Sequence, residues 1–323
     1  MSPSHPQAPE IVCIALNPAI DQTVELEQFT PGQLHRARAV KQEAGGKAIN
    51  VAACLADAGI PVAVAGRLGR ENAEDFRQLF DAKGIHDRLC YVAGHTRINT
   101  KLVDLSSGTT TEINLPGSLS DPEGIPVTAA RILRRAIAGD LTRWAIASGS
   151  VPPGWAEDIY ATGIHHLKRR GVMTVLDASG AALRAGLDAQ PTIAKPNREE
   201  LAELVGRPLG SVAEVVEAAR ALVAAGKVER LLCVSLGHEG ALFLDQARCI
   251  HALPLPLSVR STVGAGDAMV AGIVAAQLQK LDLDDCARVA SAWSAAHLVH
   301  QGPGLGAIET LEALIASVHL AEL

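Results

Sequence analysis

Residues 261–269 read STVGAGDAM, and the organisation of the whole chain follows from placing this stretch. Gly264-Ala265-Gly266 leads straight into an apolar helical pattern predicted over Ala265 to Gln279. Small residues let a ligand approach the backbone. The start of a helix carries unpaired N–H groups and a partial positive charge, so this turn can hold negative charge developing on a phosphate. Asp267 falls in the first turn. A carboxylate there can take a proton from an attacking hydroxyl, although a helix start lowers its basicity and close positioning must compensate. The same aspartate serves equally well as a partner for the helix dipole, and this motif alone does not separate the two roles.

Working outward, the chain alternates strand and helix. Ile11 to Leu16 is an apolar run ended by Asn17-Pro18, a buried first strand that points at Asp21. Gly46 opens a helix that stops at Gly59, and Pro61 to Ala65 is the next strand, which makes a β-α-β unit. A helix over Glu71 to Lys83 ends at Gly84. Further strands are predicted at Trp144 to Ala147, Val172 to Leu176, Thr192 to Ala194 and Leu231 to Ser235. The last third reads as helices over Ala265 to Gln279, Leu283 to His300 and Ala307 to Ala321. Such alternation implies an α/β fold, a central mostly parallel sheet with helices on both faces. Two polar excursions interrupt it: one from Gln22 to Glu43, and one made of the strands Ile98 to Leu105 and Thr109 to Leu115 joined through Ser106-Ser107-Gly108. Residues 1–10 are read as a loose tail and 11–323 as a single domain, with these hairpins inserted at about 22–43 and 96–116.

In open α/β sheets ligands sit at the carboxyl ends of the strands, so residues following each strand are the first candidates. Gln42 to Asn50, QEAGGKAIN, is a second glycine pair opening a helix. It is not a Walker A loop, because Lys41 and Ala48 stand where Gly and Ser or Thr are required. Lys195-Pro196-Asn197-Arg198-Glu199-Glu200 follows a strand and starts a helix. Asn197 and Glu200 can form a capping box, or they can surround magnesium, which prefers oxygen ligands and keeps waters. Ser235 to Gly240, SLGHEG, can lie along a nucleotide, and Ser148 to Gly154, SGSVPPG, can line a pocket or make a turn. Arg97, Asn99 and Lys101 alternate on a predicted strand and so share a face, where two cations suit a phosphate or simply an edge in solvent. His297 and His300 are read as packing residues with no role.

Composition excludes other classes. With 323 residues, 48% hydrophobic and 20% charged, the chain can bury a large core. A net charge of -6 without a basic stripe argues against nucleic acid. No apolar run approaches the ~20 residues of a membrane helix. The first residues, MSPSHPQAPE, do not resemble a signal or transit peptide, so a cytoplasmic enzyme is expected. The six cysteines are scattered without metal-ligand spacing, which reads as reduced, buried thiols. No GxGxxG follows the first strand, so a dehydrogenase is disfavoured.

In this order AGGKAINVA, TRINTKL, SGSVPPG, LDASG, KPNREEL, VSLGHEGAL and STVGAGDAM resemble the ribokinase-like sugar kinases of the phosphofructokinase B family, from Ile11 to about Gly304. The resemblance implies a Rossmann-like sheet with a small β-sheet lid formed by the two excursions. It implies ATP with Mg2+ as donor, Gly264, Ala265 and Gly266 as anion hole, and Asp267 as catalytic base. Lys195, Asn197, Ser235, Gly237 and Gly240 fall by similarity in the nucleotide site, with Asn197 and Glu200 near the metal. Asp21, Gly45, Gly46, Lys47, Asn50 and Arg97 match sugar-holding positions, joined by Lys101, Ser148 and Ser150. The lids of this family often pair, so a homodimer is expected. Members with a monovalent-cation site build it near Ser261 to Val263 and Gln301 to Gly304, and His300 and Gly304 depart from that pattern. TRINTKL and the lysine of AGGKAIN look most like 1-phosphofructokinases, which act on fructose 1-phosphate. The alternatives are 6-phosphofructokinases, tagatose-6-phosphate kinases and an inactive nucleotide-binding regulator.

Overall fold

β1 (Ile11–Ala15) occupies the middle of a wide sheet, and the alternation of its side chains defines two core layers. A computed structural model describes residues 9–117, 121, 123–138, 141–257, 264–300, 302–305 and 309–323. Along the chain follow β2 (Ala19–Leu26), β3 (Ala39–Gly45), α1 (Lys47–Asp57), β4 (Val62–Gly69), α2 (Glu74–Lys83) and β5 (His86–Val92). Next come β6 (Arg97–Asp104), β7 (Thr109–Ile113), α3 (Ile125–Ala136), β8 (Trp144–Ser148), α4 (Ile159–Lys168), β9 (Met173–Asp177) and α5 (Gly180–Asp188). β10 (Ile193–Ala194), α6 (Arg198–Val205), α7 (Val212–Ala224), β11 (Leu231–Ser235), β12 (Ala241–Leu244) and β13 (Cys249–Ala252) lead to α8 (Ala265–Leu278), α9 (Leu283–Val299), α10 (Glu309–Ser317) and β14 (Leu320–Glu322).

The large sheet runs β14-β13-β12-β11-β10-β9-β8-β1-β4-β5. Every pairing from β11 to β5 is parallel, and β12, β13 and β14 add an antiparallel edge. Ile11, Cys13 and Ala15 face the layer of α1, α8 and α9, while Val12 and Ile14 face that of α3, α4, α5 and α7. Both faces are covered, which is why the parallel strands read as unbroken apolar runs. Each such Ile or Val contributes roughly 1.5–3 kcal/mol by leaving water. β1 and β4 also approach closely at one point: Gly66 has φ 151°, and a Cβ there would lie 1.9 Å from the Ala15 carbonyl oxygen.

α8 is buried from Asp267 to Ala276 on all sides, and Gly272 lets it close onto Ala290 and Trp293 of α9. The apolar run after GAGD is thus the central helix of one layer, with a carboxylate at its buried start.

The two excursions form one four-stranded sheet, β3-β2-β6-β7. β2 pairs antiparallel with β3 and parallel with β6, so the two hairpins join edge to edge.

Four strands were not predicted. β5 and β12 to β14 are short or only weakly apolar, and their pairing partners, more than their own pattern, make them strands. The helix predicted to Ala321 stops at Ser317, because buried Val318 turns the chain so that the His319 carbonyl accepts from the Leu253 N–H at 2.9 Å and β14 pairs with β13. The expected loose tail is partly tied: the Glu10 carbonyl accepts from the Arg143 and Trp144 N–H groups at 2.7 and 3.0 Å. All six cysteines are free and buried. Among the described residues no helix is long and apolar enough to cross a membrane.

Candidate active site

The chain leaves β1 towards β4 on one side and returns as β8 on the other, so a crevice opens at the carboxyl ends of these strands. A cavity of about 200 Å³ lies there, lined by Asn17 and Pro18 after β1, Ser148 to Ser150 after β8, Ser179 after β9, and by Gly46, Lys47, Arg97 and Glu200.

Asp267 is 5% exposed and its Oδ2 accepts from Asn50 Nδ2 at 2.8 Å. Burial, then the neighbouring negative charge of Asp177, pushes its carboxyl up to about 7, against the opposing effects of Lys47, Asn50 and Lys195. A helix start lowers the basicity of a carboxylate; here burial and a second carboxylate win. Gly264 precedes α8 at φ 88°, and Gly266 lies against Lys195, whose Nζ would be 3.4 Å from a Cβ at that position. An ammonium therefore stands beside the turn of N–H groups, which strengthens its positive field.

Asp177, the last residue of β9, is fully buried. Its Oδ1 takes Lys47 Nζ at 3.1 Å and Lys195 Nζ at 3.3 Å, and its Oδ2 accepts from Ser148 Oγ at 3.0 Å. Burial alone would raise its carboxyl; Lys195, Lys47 and the hydrogen bonds outweigh burial and hold it below the ordinary value. Lys47 is correspondingly pushed up, chiefly by Asp177. This carboxylate joins a lysine from the GGK turn to a lysine from the KPN turn, and sequence reasoning missed it. The only signal was its place at a strand end within LDASG.

On the lid side, Asp21 accepts from Asn99 Nδ2 at 3.2 Å and pairs with Lys101 at 3.4 Å. A Cβ at Gly45 would fall 2.7 Å from Asp21 Oδ2, so the glycine makes room for that carboxylate. Gly46 has φ 100° and crosses Pro18 closely. Arg97 is where the alternation put it, yet its guanidinium donates to the carbonyls of Pro18, Leu115 and Asn17 at 3.4, 2.6 and 3.0 Å. It ties the lid to the turn after β1 with three of its five N–H donors, leaving two for a ligand. Asn17, read only as a turn residue, lines the cavity and donates from Nδ2 to Ser150 Oγ at 3.1 Å and the Pro116 carbonyl at 3.0 Å.

Asn197 caps α6. Its Oδ1 accepts from the Glu200 N–H at 2.7 Å, and Glu200 Oε2 accepts from the Asn197 N–H at 2.9 Å, so the capping box forms. Glu200 keeps Oε1 towards Lys47, 3.9 Å away, and lines the cavity. Ser235 lies beside Asn197 at the end of β11, and Gly237 and Gly240 carry the following turn with φ 62° and 88°. Ser235 and these two glycines do not line the 200 Å³ cavity; they stand further along the same sheet end. Among the described residues no group of three His, Cys, Asp or Glu side chains can cage a metal. One carboxylate oxygen facing the cavity suits an ion that keeps waters and phosphate oxygens as its other ligands.

His297 packs against the start of α8. Its ring packs under Gly264, where a Cβ would lie 2.4 Å from Nε2, and its Nδ1 donates to the Gly304 carbonyl at 2.7 Å. Ser261, Thr262, Val263 and Gln301, invoked for a monovalent cation, lie outside the described residues.

A family model described as pfkB family carbohydrate kinase matches residues 12–311. A 1-phosphofructokinase of Xanthomonas campestris is 44% identical over 90% of this chain and 91% of its own length. That of Rhodobacter capsulatus is 40% identical over 95% and 96%. Among solved structures, phosphofructokinase-2 of Escherichia coli in complex with fructose-6-phosphate superposes with a TM-score of 0.85, at 26% identity over 96% of this chain and 99% of its own. A possible 1-phosphofructokinase of Thermotoga maritima shares the fold, with a TM-score of 0.79 at 23% identity over 97% and 99%.

Proposed function

The chain belongs to the pfkB family of carbohydrate kinases and is a sugar kinase, and on that premise we propose that it transfers the terminal phosphoryl group of ATP to the 6-hydroxyl of fructose 1-phosphate. The observation that carries the reading is Asp267: a buried carboxylate pushed up to about 7, fixed by Asn50 and set at a glycine turn beside Lys195. A base whose pKa lies near the working pH combines availability with proton affinity.

In this reading Asp267 takes the proton of the acceptor hydroxyl while the N–H groups around Gly264, Ala265 and Gly266, with Lys195, balance charge on the transferred group. Asp21, held by Asn99 and Lys101, orients ring hydroxyls together with Gly45, Gly46 and Asn50. Lys47, the two remaining N–H groups of Arg97, Ser148 and Ser150 hold the phosphate already on the sugar. Asn197, Ser235, Gly237 and Gly240 border the nucleotide. Glu200 is the side chain placed to approach a magnesium ion through water, and such an ion, when bound, neutralises phosphate charge. The lid sheet excludes water from the reacting groups.

Val24, Val40, Leu102 and Ile113 share one face of the lid by register, with Val40 57% and Ile113 50% exposed, which supports pairing of two lids in a homodimer. A cytoplasmic enzyme acting on a small sugar phosphate, without nucleic acid or membrane partners, completes the proposal.

A second reading, with the acceptor phosphate at the other end of the sugar, is favoured by the likeness to the phosphofructokinase-2 complex with fructose-6-phosphate. An ADP-release assay comparing kcat/KM for fructose 1-phosphate, fructose 6-phosphate and tagatose 6-phosphate decides between them, with Asp267→Asn as control. Preference for fructose 1-phosphate is expected; preference for a 6-phosphate keeps the base and reverses the acceptor. ADP release no faster than in the control sinks both.

A further inference from the structure

We infer that His297 is a positioning residue for phosphoryl transfer: its ring, wedged between Gly264 and the Gly304 carbonyl, sets the path of the glycine turn that faces the transferred group. The inference rests on the kinase reading above, but concerns a residue that lies on α9, behind the turn.

Three observations carry it. The ring meets Gly264 so closely that a Cβ there would lie 2.4 Å from Nε2 and 3.0 Å from Cε1, so residue 264 can follow its backbone path only as glycine over imidazole. The other nitrogen, Nδ1, must be the protonated one in its bond to Gly304, because a carbonyl oxygen only accepts. Gly304 is itself held fast: a Cβ on it would fall 2.0 Å from Asp57 Oδ2, the next residue, Leu305, donates its N–H to that oxygen at 2.9 Å, and Lys83 pairs with the same aspartate. The imidazole therefore stands against an anchored segment and transmits its position to the turn. It is 6% exposed. Because N–H groups aimed at developing charge are useful only in register, a small shift at Gly264 lowers the rate without weakening ground-state binding.

The test compares His297→Ala, His297→Asn and, as a packing control on the same helix, Val289→Ala. Steady-state kinetics with ATP and fructose 1-phosphate are read beside melting temperature and amide exchange of the 264–270 peptide. Expected for His297→Ala is at least a tenfold fall in kcat with both KM values within threefold of wild type, and faster exchange across the peptide. His297→Asn, which retains a donor near the Nδ1 position, recovers part of the rate. Val289→Ala lowers the melting temperature while keeping kcat. A Gly264→Ala, His297→Ala double variant is no worse than Gly264→Ala alone, since backbone strain at φ 88° is common to both and the turn that His297 positions is already displaced. Two outcomes overturn the inference: kcat of His297→Ala within twofold of wild type, or a loss that tracks melting temperature as in Val289→Ala with exchange of the turn unchanged. If the wild type phosphorylates none of the ketose phosphates, the functional reading has failed; faster exchange in His297→Ala then still reports the wedge.

Discussion

Asn50 donates to Oδ2 of Asp267 over 2.8 Å across two buried side chains, one from α1 and one from α8. This bond favours the ionised carboxylate. Asn50→Ala is therefore expected to move the acid limb of the kcat/KM profile above pH 7 and to lower kcat at neutral pH roughly tenfold, given that a hydrogen bond to a charged group is worth about 1.5–3 kcal/mol. A profile superimposable on the wild type would remove Asn50 from the picture.

Asp267→Asn should lower kcat about 10²–10⁴-fold. It also changes stability in a direction set by linkage. The folded protein holds this proton up to about pH 7 and an unfolded chain releases it near 4, so stability attributable to Asp267 declines as pH rises through that window. The asparagine variant lacks that decline. It should melt above the wild type at pH 8 and lose the advantage towards pH 5, as thermal scans across pH would show.

Asp177→Asn removes the negative neighbour that helps raise Asp267, so the acid limb should move to lower pH. It also strips Lys195, 4% exposed, of its buried partner, a loss of about 3–5 kcal/mol. KM for sugar and nucleotide should rise together, because Lys47 and Lys195 share one oxygen. A rise in only one KM would show that the two lysines are independent.

Gly240→Ala puts a Cβ 2.1 Å from the Ala252 carbonyl oxygen at φ 88°. The turn after β11 must shift, and nucleotide KM should increase at least several-fold while sugar KM stays near wild type. Gly66→Ala, with its overlap between β1 and β4, should instead reduce soluble yield and lower melting temperature in every buffer.

The helices and central strands were legible because burial on both faces leaves unbroken apolar runs, and glycines mark their ends. Gly46, Gly84 and Gly264 each stand at a helix boundary. β12 and β13 were not, since four-residue strands take their conformation from the neighbour they pair with. Asp267 was found through its glycines. Asp177 was not, because its meaning lies in lysines that come from distant turns, and nothing in VLDASG announces them. The face of Arg97 was legible from the alternation, with a phosphate or solvent as its expected partner, whereas three carbonyls of this chain already use it. His297 was set aside as packing, which it is; what it packs against gives it interest.

The parallel pairing of β2 with β6 has a consequence for synthesis of the chain. Between these partners lie β3, α1, β4, α2 and β5, so the four-stranded sheet cannot be completed until β6 has left the ribosome. Until then the β2–β3 ribbon waits with an open hydrogen-bonding edge along Ala19 to Leu26, free to recruit a neighbouring nascent chain. Slower elongation or lower temperature should raise the recovered fraction, and substitutions that delay β6 should send the protein into inclusion bodies while leaving the finished fold as stable as before.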